Sequence, residues 1–305
     1  MKKLFSYLMI FACLLGTAVV TSCGSDDDKE VTLETPKFES DAALYRIETN
    51  DAKIAYIELT SAGNYYIEYL TMVKGKAASL NVNEVQVPLP FASSRLATRA
   101  SIDNFEYGTF KKNEDGSYEL EGKGTLTIET AGGSKYTITI TINGKEKKYT
   151  GTREPKIYNT ATVSKICRSW RMKKVYINWD VKVMGITNHI SEEASSYKDL
   201  MNKLNKYTGS NYKESIEEID YITFNTSGSY VVKTSSSIER SYWKWNESKS
   251  TLYLSNDSNI GLIVSFSGKR MKMDYTMDAD MKGEKGEEAS TSVSLGYEFE
   301  ETLVR

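Results

Sequence analysis

The sequence predicts a mainly β protein with two β domains, the C-terminal one an up-and-down barrel or a sandwich that contains an inserted helical segment. Tyrosine is abundant at 21 residues and proline is scarce at 4 in the 305-residue chain, a composition that favours strands. Apolar and polar residues alternate in many short segments, as is typical of half-buried strands. Turn sequences such as Asn143-Gly144 separate these segments, as expected for hairpins. The length fits about two domains.

The first 22 residues have the layout of a secretory signal. Lys2 and Lys3 provide a positive start, the stretch from Leu4 to Val20 is apolar, and small residues follow. A membrane-spanning anchor is the alternative, but such an anchor needs about 20 apolar residues. The apolar run here is shorter and ends at Thr21. We therefore predict an export signal over residues 1–22.

The four residues Val20-Thr21-Ser22-Cys23 resemble the lipobox of bacterial lipoproteins. The resemblance implies that the thiol of Cys23 carries lipid, with acyl chains such as palmitate, and that Cys23 becomes the first residue of the mature protein. The acidic run Asp26 to Asp28 is similar to the export signal of Bacteroidetes-type surface lipoproteins. That resemblance implies an outer-membrane protein facing the cell surface. A plain flexible tether is the alternative interpretation of residues 23–40.

Residues 41–152 are predicted to form an N-terminal β domain. Alternating apolar positions indicate a strand around Ile57, and a second, aromatic-rich strand spans Tyr65 to Val73. Residues 75–104 contain two prolines and no clear period, which predicts an irregular loop, either functional or a plain surface loop. Two further strands each place their apolar residues on one face, at Tyr118, Leu120, Leu126 and Ile128, and at Tyr136, Ile138, Ile140 and Ile142.

Residues 161–305 are predicted to form the C-terminal domain. A short helix over 161–168 precedes a strand that begins at Trp170 and runs to about Val183. Within residues 191–219, apolar residues fall at helical spacing, which predicts an inserted helical hairpin or lid. About eight strands follow one another from Trp170 onward, most of them joined by short turns. Such regular spacing is typical of an up-and-down barrel or a sandwich.

The C-terminal half is similar to the lipocalin-like domains common in Bacteroidetes lipoproteins. The residues that carry this resemblance are Trp170, the hairpin Phe224-x3-Gly228-x-Tyr230, the segment Trp243-Lys244-Trp245, and the strands Leu252–Leu254 and Val264–Gly268. The resemblance implies a barrel able to hold an apolar or amphipathic ligand. Because Leu59 to Tyr65 echoes Phe224 to Tyr230, a diverged repeat is one interpretation of the N-terminal half.

Two stripes of large side chains are the candidate ligand-binding residues. They comprise Met271, Met273, Tyr275 and Met277 on one predicted strand, and Trp243 and Trp245 on another. Methionine adapts to varied shapes and suits a promiscuous apolar pocket, while aromatic faces can stack on sugars or apolar rings. The alternative is that both stripes belong to an ordinary barrel core.

The sequence gives little support to catalysis. Cys167 and His189 are the sole cysteine–histidine pair left once the leader is removed, and a cysteine buried as a small hydrophobe is the alternative. A zinc site would need more of either residue. The segment from Asp278 resembles the start of a calcium loop, but Lys282 and Ala289 stand where ligands are required. Paired carboxylates for glycoside hydrolysis depend on the fold and not on spacing. We predict no catalytic residue, metal or cofactor.

These observations predict a non-enzymatic envelope protein, anchored to the membrane through Cys23, that binds a small apolar or glycan-like ligand. The alternative is a structural or adhesive surface protein, or an accessory subunit that contacts an outer-membrane protein. The formal net charge is −2, and this lack of basic excess argues against a nucleic-acid partner. A single cysteine beyond Cys23 leaves no intramolecular disulfide.

Overall fold

The computed structural model describes part of the chain, and residues 32–305 form one compact unit. The predicted signal, Cys23 and most of the predicted tether lie outside the described residues, as do residues 209–217 of the predicted helical insertion. Within the described part, no helix has the length and apolar character to cross a membrane. The described residues are 33, 35–48, 53–69, 77–82, 85–93, 105–156, 160–183, 185–208, 218–235, 237–254, 257–282 and 288–302.

Eight strands of the N-terminal half close into an antiparallel barrel in the order β1-β2-β3-β6-β7-β8-β9-β10. Inward side chains such as Ile57, Tyr65 and Leu126 are fully buried and form one apolar core. Pairing of β1 with β10 completes the ring. The strands of this half are β1 (Ala43–Ile47), β2 (Ile54–Leu59), β3 (Asn64–Tyr69), β4 (Ala77–Val82), β5 (Val85–Ser93), β6 (Phe105–Lys112), β7 (Tyr118–Leu120), β8 (Gly124–Gly132), β9 (Lys135–Ile142) and β10 (Lys145–Arg153).

Strands β4 and β5 pair with each other in a separate two-stranded sheet. The irregular loop predicted for residues 75–104 is therefore a hairpin over much of its length, with Pro88 opposite Ser79. Proline cannot donate a backbone hydrogen bond and is tolerated in edge strands. A two-stranded sheet consists of edge strands, which explains how β5 accommodates residues that argued against a strand.

A second closed barrel occupies the C-terminal half, in the order β11-β13-β14-β15-β16-β17-β18-β19, with β11 pairing with β19. The predicted mainly β class with two β domains is confirmed, and the C-terminal domain is a barrel and not a sandwich. Helix α1 (Ala161–Ile166) precedes it. The strands are β11 (Ser169–Val183), β12 (Ile186–Ala194), β13 (Ile219–Phe224), β14 (Ser229–Thr234), β15 (Ile238–Asn246), β16 (Thr251–Leu254), β17 (Asp257–Ser267), β18 (Arg270–Lys282) and β19 (Glu288–Glu301).

Strand β12 and helix α2 (Tyr197–Thr208) are inserted between β11 and β13. The prediction of a purely helical insertion was wrong for its first part, since β12 extends to Ala194 and pairs with residues 175–183 of β11. The side chains of β12 are exposed or half-buried throughout, so this strand lacks the apolar alternation that marks a strand in sequence. Helix α2 buries its apolar face in the barrel core through Tyr197, Leu200, Met201 and Leu204.

The two barrels follow the same strand order and contain corresponding turns. In the turn after β2, the Thr60 amide donates to the Asn64 carbonyl at 2.9 Å, and the Asn225 amide donates to the Ser229 carbonyl at the same distance in the turn after β13. Gly63 and Gly228 have φ values of 86° and 79° in these turns, a backbone conformation that favours glycine. The two echoing sequence segments thus adopt the same local structure.

Candidate functional site

The two predicted ligand-binding stripes point into the C-terminal barrel. Met271 and Met273 are fully buried, and Trp243 and Trp245 are 1% and 7% exposed. All four belong to one core that also includes Trp170. The remaining two members of the methionine stripe, Tyr275 and Met277, are half-buried against the same core. A ligand-binding role for these six residues stays a prediction.

The polar atom of Trp243 already has partners within the protein. Its indole Nε1 donates to the carbonyl of Ser229 at 2.9 Å and to that of Asn225 at 3.2 Å. Its ring packs edge-on against Phe224 with the centroids 5.7 Å apart. Buried tryptophans usually satisfy their N–H in this way, so this side chain holds the turn between β13 and β14.

Helix α2 covers the inner face of the barrel on the side of β11 and β12. The Tyr197 hydroxyl of α2 donates to the Tyr297 hydroxyl of β19 at 2.7 Å, and both side chains are fully buried. Burial raises the pKa of both tyrosines well above the ordinary value, which keeps both hydroxyls protonated. An apolar ligand that occupied this part of the interior would have to displace α2 from the core.

A polar cleft of about 450 Å³ lies on the outer wall of this barrel, where β12, β11, β19 and β18 run side by side. We call it the wall cleft. Two carboxylates, one ammonium group and three outward hydroxyls line it, and the hydroxyl of Thr291 is turned toward the barrel core. The lining residues are Asp180, Lys182, Thr187, Asp278, Ser290, Thr291 and Ser292.

Strand register explains how the wall cleft is built. Because Trp179 and Val293 point into the core and side chains alternate along a strand, Asp180 and Ser292 point outward. Ser292 lies opposite Asp180 on one side and opposite Asp278 on the other. The two aspartates are therefore two strand spacings apart, about 10 Å between their Cα atoms, and a small side chain lies between them.

Outward-facing residues of β19 are small along this stretch, which makes the strand the floor of a groove. Ser290, Ser292 and Ser294 alternate with inward residues, and the neighbouring strands provide the longer side chains. The floor is tied to the core through Thr291, whose hydroxyl accepts from the Trp179 indole at 2.8 Å and donates to the backbone carbonyl of Asp180 at 3.1 Å.

His189 lies on β12 next to Asp180 of the wall cleft. Its Nδ1 lies 2.7 Å from Oδ1 of Asp180, and both side chains are about half exposed. Cys167, by contrast, is 1% exposed in the barrel core, and burial raises the pKa of its thiol. The structure thus places Cys167 and His189 in two different environments, and they do not form a cysteine–histidine pair.

Neighbouring positions across the strands follow the order His189, Asp180, Ser292. A nucleophilic serine needs the imidazole next to it, with the carboxylate behind the imidazole. Here the carboxylate stands in the middle, so His189 is not placed to accept the proton of Ser292. Among the residues that the structure describes, no group of three histidine, cysteine or acidic side chains could hold a metal ion.

The sequence pattern did not identify the wall cleft. The sequence signal for it is weak and consists of the serines at alternate positions of β19, Ser290, Ser292 and Ser294. Comparison with models of known protein families gives no match, and comparison with curated proteins gives none either.

Proposed function

We propose that this protein is a lipid-anchored component of the bacterial outer membrane that faces the cell surface and binds a glycan-like ligand in the wall cleft. The observation that carries the proposal is the composition of that cleft, in which Asp180 and Asp278 flank a floor of serine hydroxyls beside Lys182. The lipobox-like residues ending at Cys23 support the lipid anchor, and the acidic run Asp26 to Asp28 supports the location at the cell surface.

Sugar hydroxyls match the groups of the wall cleft in number and in kind. A carboxylate offers two acceptor oxygens, a serine hydroxyl both donates and accepts, and an ammonium group donates. Hydrogen bonds to charged groups are stronger than neutral ones. Asp180 and Asp278 stand on either side of Ser292, so one sugar ring could contact both carboxylates while resting on the floor of β19.

Binding without catalysis fits the arrangement of these groups. The carboxylate of Asp180 already lies within hydrogen-bonding distance of His189, and Ser292 has this carboxylate beside it in place of the imidazole that activates a nucleophilic serine. The groups of the cleft are therefore arranged to hold a polar ligand in place. The arrangement favours a binding protein over a hydrolase that uses a nucleophilic serine.

A glycan array followed by calorimetry tests the proposal. The full chain, kept in a sugar-free detergent, would be applied to the array, and the strongest glycan would be titrated into the Asp278→Asn and Ser292→Trp variants. We expect each variant to weaken binding about tenfold or more, because one removes a charged acceptor and the other fills the floor.

The matched control is Asp115→Asn, which changes the charge equally but lies in an exposed turn of the N-terminal barrel. It should bind as tightly as the unmodified chain. Binding that is equal in all three variants, or the absence of glycan binding from the array, would overturn the proposal.

Strand β12 favours the second candidate, a surface protein that contacts an outer-membrane partner. It pairs with β11 beside the eight strands of the closed barrel and is the end strand of the sheet. The open edge of such a strand can pair with a strand of another protein. A photo-crosslinker at Ile186 of β12, which is 64% exposed, tests this idea in intact cells. Ile263 on β17 is 58% exposed and serves as the matched control. A single envelope protein crosslinked at Ile186 alone would support this alternative, and equal labelling at both positions would exclude it.

A further inference from the structure

The interior of the N-terminal barrel contains a group of three tyrosines and one acidic side chain that the wall cleft does not involve. We call it the tyrosine mouth and define it as Tyr65 and Tyr69 of β3, Glu106 of β6 and Tyr149 of β10. Tyr65 is fully buried in the barrel core, and Tyr69 and Tyr149 are half-buried against that core. Glu106 lies opposite Ile67 and has the same inward direction as the buried Phe110 on its own strand.

Two polar atoms of the tyrosine mouth are buried without a hydrogen-bond partner, namely the hydroxyl of Tyr65 and Oε2 of Glu106. Tyr65 is 0% exposed. Buried polar groups in native proteins are nearly always paired, and each exception calls for an explanation such as an absent partner. Because these two atoms belong to neighbouring strands and to one cluster, a single bound molecule could supply partners to both.

All three tyrosines of the mouth lie close enough to the Glu106 carboxylate for its charge to affect them. The Tyr69 hydroxyl is within hydrogen-bonding reach of Glu106. Burial is the main cause that raises the pKa of Tyr69, and the contact with Glu106 raises it further. Burial raises the pKa of Tyr65 to about 12, and the charge of Glu106 adds to the effect. The pKa of Tyr149 is raised by burial and by the same carboxylate. All three hydroxyls therefore stay neutral at physiological pH.

A glycine on β6 makes room for the ring of Tyr65. A Cβ atom at Gly108 would stand 3.0 Å from Cε1 of Tyr65 and 3.2 Å from its hydroxyl oxygen. The ring therefore lies directly against the backbone of β6, two residues from Glu106. This contact fixes the position of the unpaired hydroxyl relative to the carboxylate.

We propose that the tyrosine mouth binds a small organic cation with an ammonium group, which donates to Oε2 of Glu106 while the three tyrosines surround it. Carboxylates form their strongest hydrogen bonds with cationic donors, and tyrosine faces attract cations. A calcium ion would require six to eight oxygen ligands, whereas a single carboxylate among aromatic rings suits an organic cation. This site lies on the other barrel from the wall cleft and is independent of glycan binding.

Calorimetric titration of the full chain in detergent with butylammonium, and with butanol as the neutral analogue, tests the proposal. We expect saturable binding of butylammonium and binding of butanol at least about tenfold weaker, because butanol lacks the charged donor. The Glu106→Gln variant should lose the preference for the cation. Tyr149→Leu, at a half-buried position, should weaken butylammonium binding about threefold or more through loss of one aromatic face.

Glu119→Gln is the matched control, since Glu119 is an exposed residue of the neighbouring strand β7. It should bind butylammonium as the unmodified chain does, and Asp278→Asn should do the same while it loses glycan binding. If Glu106→Gln fails to fold, the Tyr149→Leu variant tests the proposal in its place, and unchanged butylammonium binding by that variant would overturn it. Equal affinity for butylammonium and butanol, or full binding by Glu106→Gln, would overturn the proposal.

Discussion

Oε1 of Glu58 accepts a hydrogen bond of 2.7 Å from the side chain of Asn225, a residue 167 positions later in the chain. The Ser229 hydroxyl donates to the same carboxylate oxygen. Glu58 lies on β2 of the first barrel, whereas Asn225 and Ser229 flank the corresponding turn of the second. All three residues are at most 1% exposed. The two barrels are therefore in contact where the turn after β13 meets Glu58, the residue just before the segment that echoes this turn.

Replacing Glu58 by alanine should destabilise the protein by about 3 kcal/mol, because it leaves Asn225 and Ser229 buried without their acceptor. Urea denaturation followed by circular dichroism measures the change. Glu119→Ala removes an exposed glutamate from β7 and should stay within about 0.5 kcal/mol of the unmodified chain. Equal stability of the two variants would contradict the view that this contact holds the barrels together.

Asp41 should make stability depend on pH in the acid range. Burial alone would raise the pKa of Asp41, but hydrogen bonds from Lys112 and Tyr118 outweigh burial and lower it below the ordinary value. Lys112 Nζ lies 2.5 Å and the Tyr118 hydroxyl 2.9 Å from Oδ1 of Asp41. A depressed carboxyl pKa adds stability above the unfolded-state pKa of about 4, and this stability is lost as the pH falls through the folded value.

The Asp41→Asn variant tests this dependence. It should be less stable than the unmodified chain by about 1 kcal/mol at pH 7, since it loses charge-assisted hydrogen bonds. The difference should shrink as the pH falls from about 4 through the lower pKa that Asp41 has in the folded protein, because Asp41 becomes protonated over this range. Urea midpoints measured between pH 7 and pH 2 give the answer. A difference that stays constant over this range would show that the charge of Asp41 has no part in the contact.

The fold was predictable from sequence where the signal is local. Alternation along the last two strands places Met273 and Tyr297 on inward faces, and the structure buries both. Strand β12 escaped prediction because its two faces are both partly exposed. The wall cleft could not be predicted, because Asp180 and Asp278 become neighbours of Ser292 only when β19 lies between β11 and β18. No pattern within a single strand encodes that closure.

Cys167 should resist modification in the folded protein. Its side chain is 1% exposed, so a reagent has little access to the sulfur. Burial also raises the pKa of the thiol, which lowers the fraction present as the reactive thiolate. The test uses a variant in which Cys13 and Cys23 are serines, so that Cys167 is its one thiol. At pH 8 a thiol reagent should react with the folded variant about a hundredfold more slowly than with the same variant unfolded in concentrated guanidinium chloride. Fast labelling of the folded protein would contradict the observed burial.

Arg240 of β15 contacts the first barrel in a way that lysine cannot reproduce. Its Cζ lies 3.8 Å from the centroid of the Tyr56 ring, and its guanidinium forms an ion pair with Glu68. The side chain of Arg240 is 5% exposed. Because lysine lacks the planar group that stacks on tyrosine, Arg240→Lys should cost about 1–2 kcal/mol in urea denaturation. Lys244→Arg, at an exposed position of the same strand, is the control and should be neutral. A neutral result for Arg240→Lys would mean that charge alone matters at this contact.

Met273→Asp distinguishes a packed barrel core from a ligand cavity. Met273 is fully buried in the core of the C-terminal barrel, so a carboxylate there should cost more than about 4 kcal/mol and abolish the cooperative unfolding of this barrel.

Two variants control for the position and for the charge. Met273→Leu keeps the volume and should cost less than about 1.5 kcal/mol, and Thr276→Asp places the same charge on the exposed face of β18 and should be tolerated. Near-ultraviolet circular dichroism and urea denaturation measure these effects. A folded Met273→Asp protein would mean that the methionine borders space that water can enter. That outcome would support a ligand-binding site in the barrel interior, because a solvated cavity lined by methionine suits an apolar ligand.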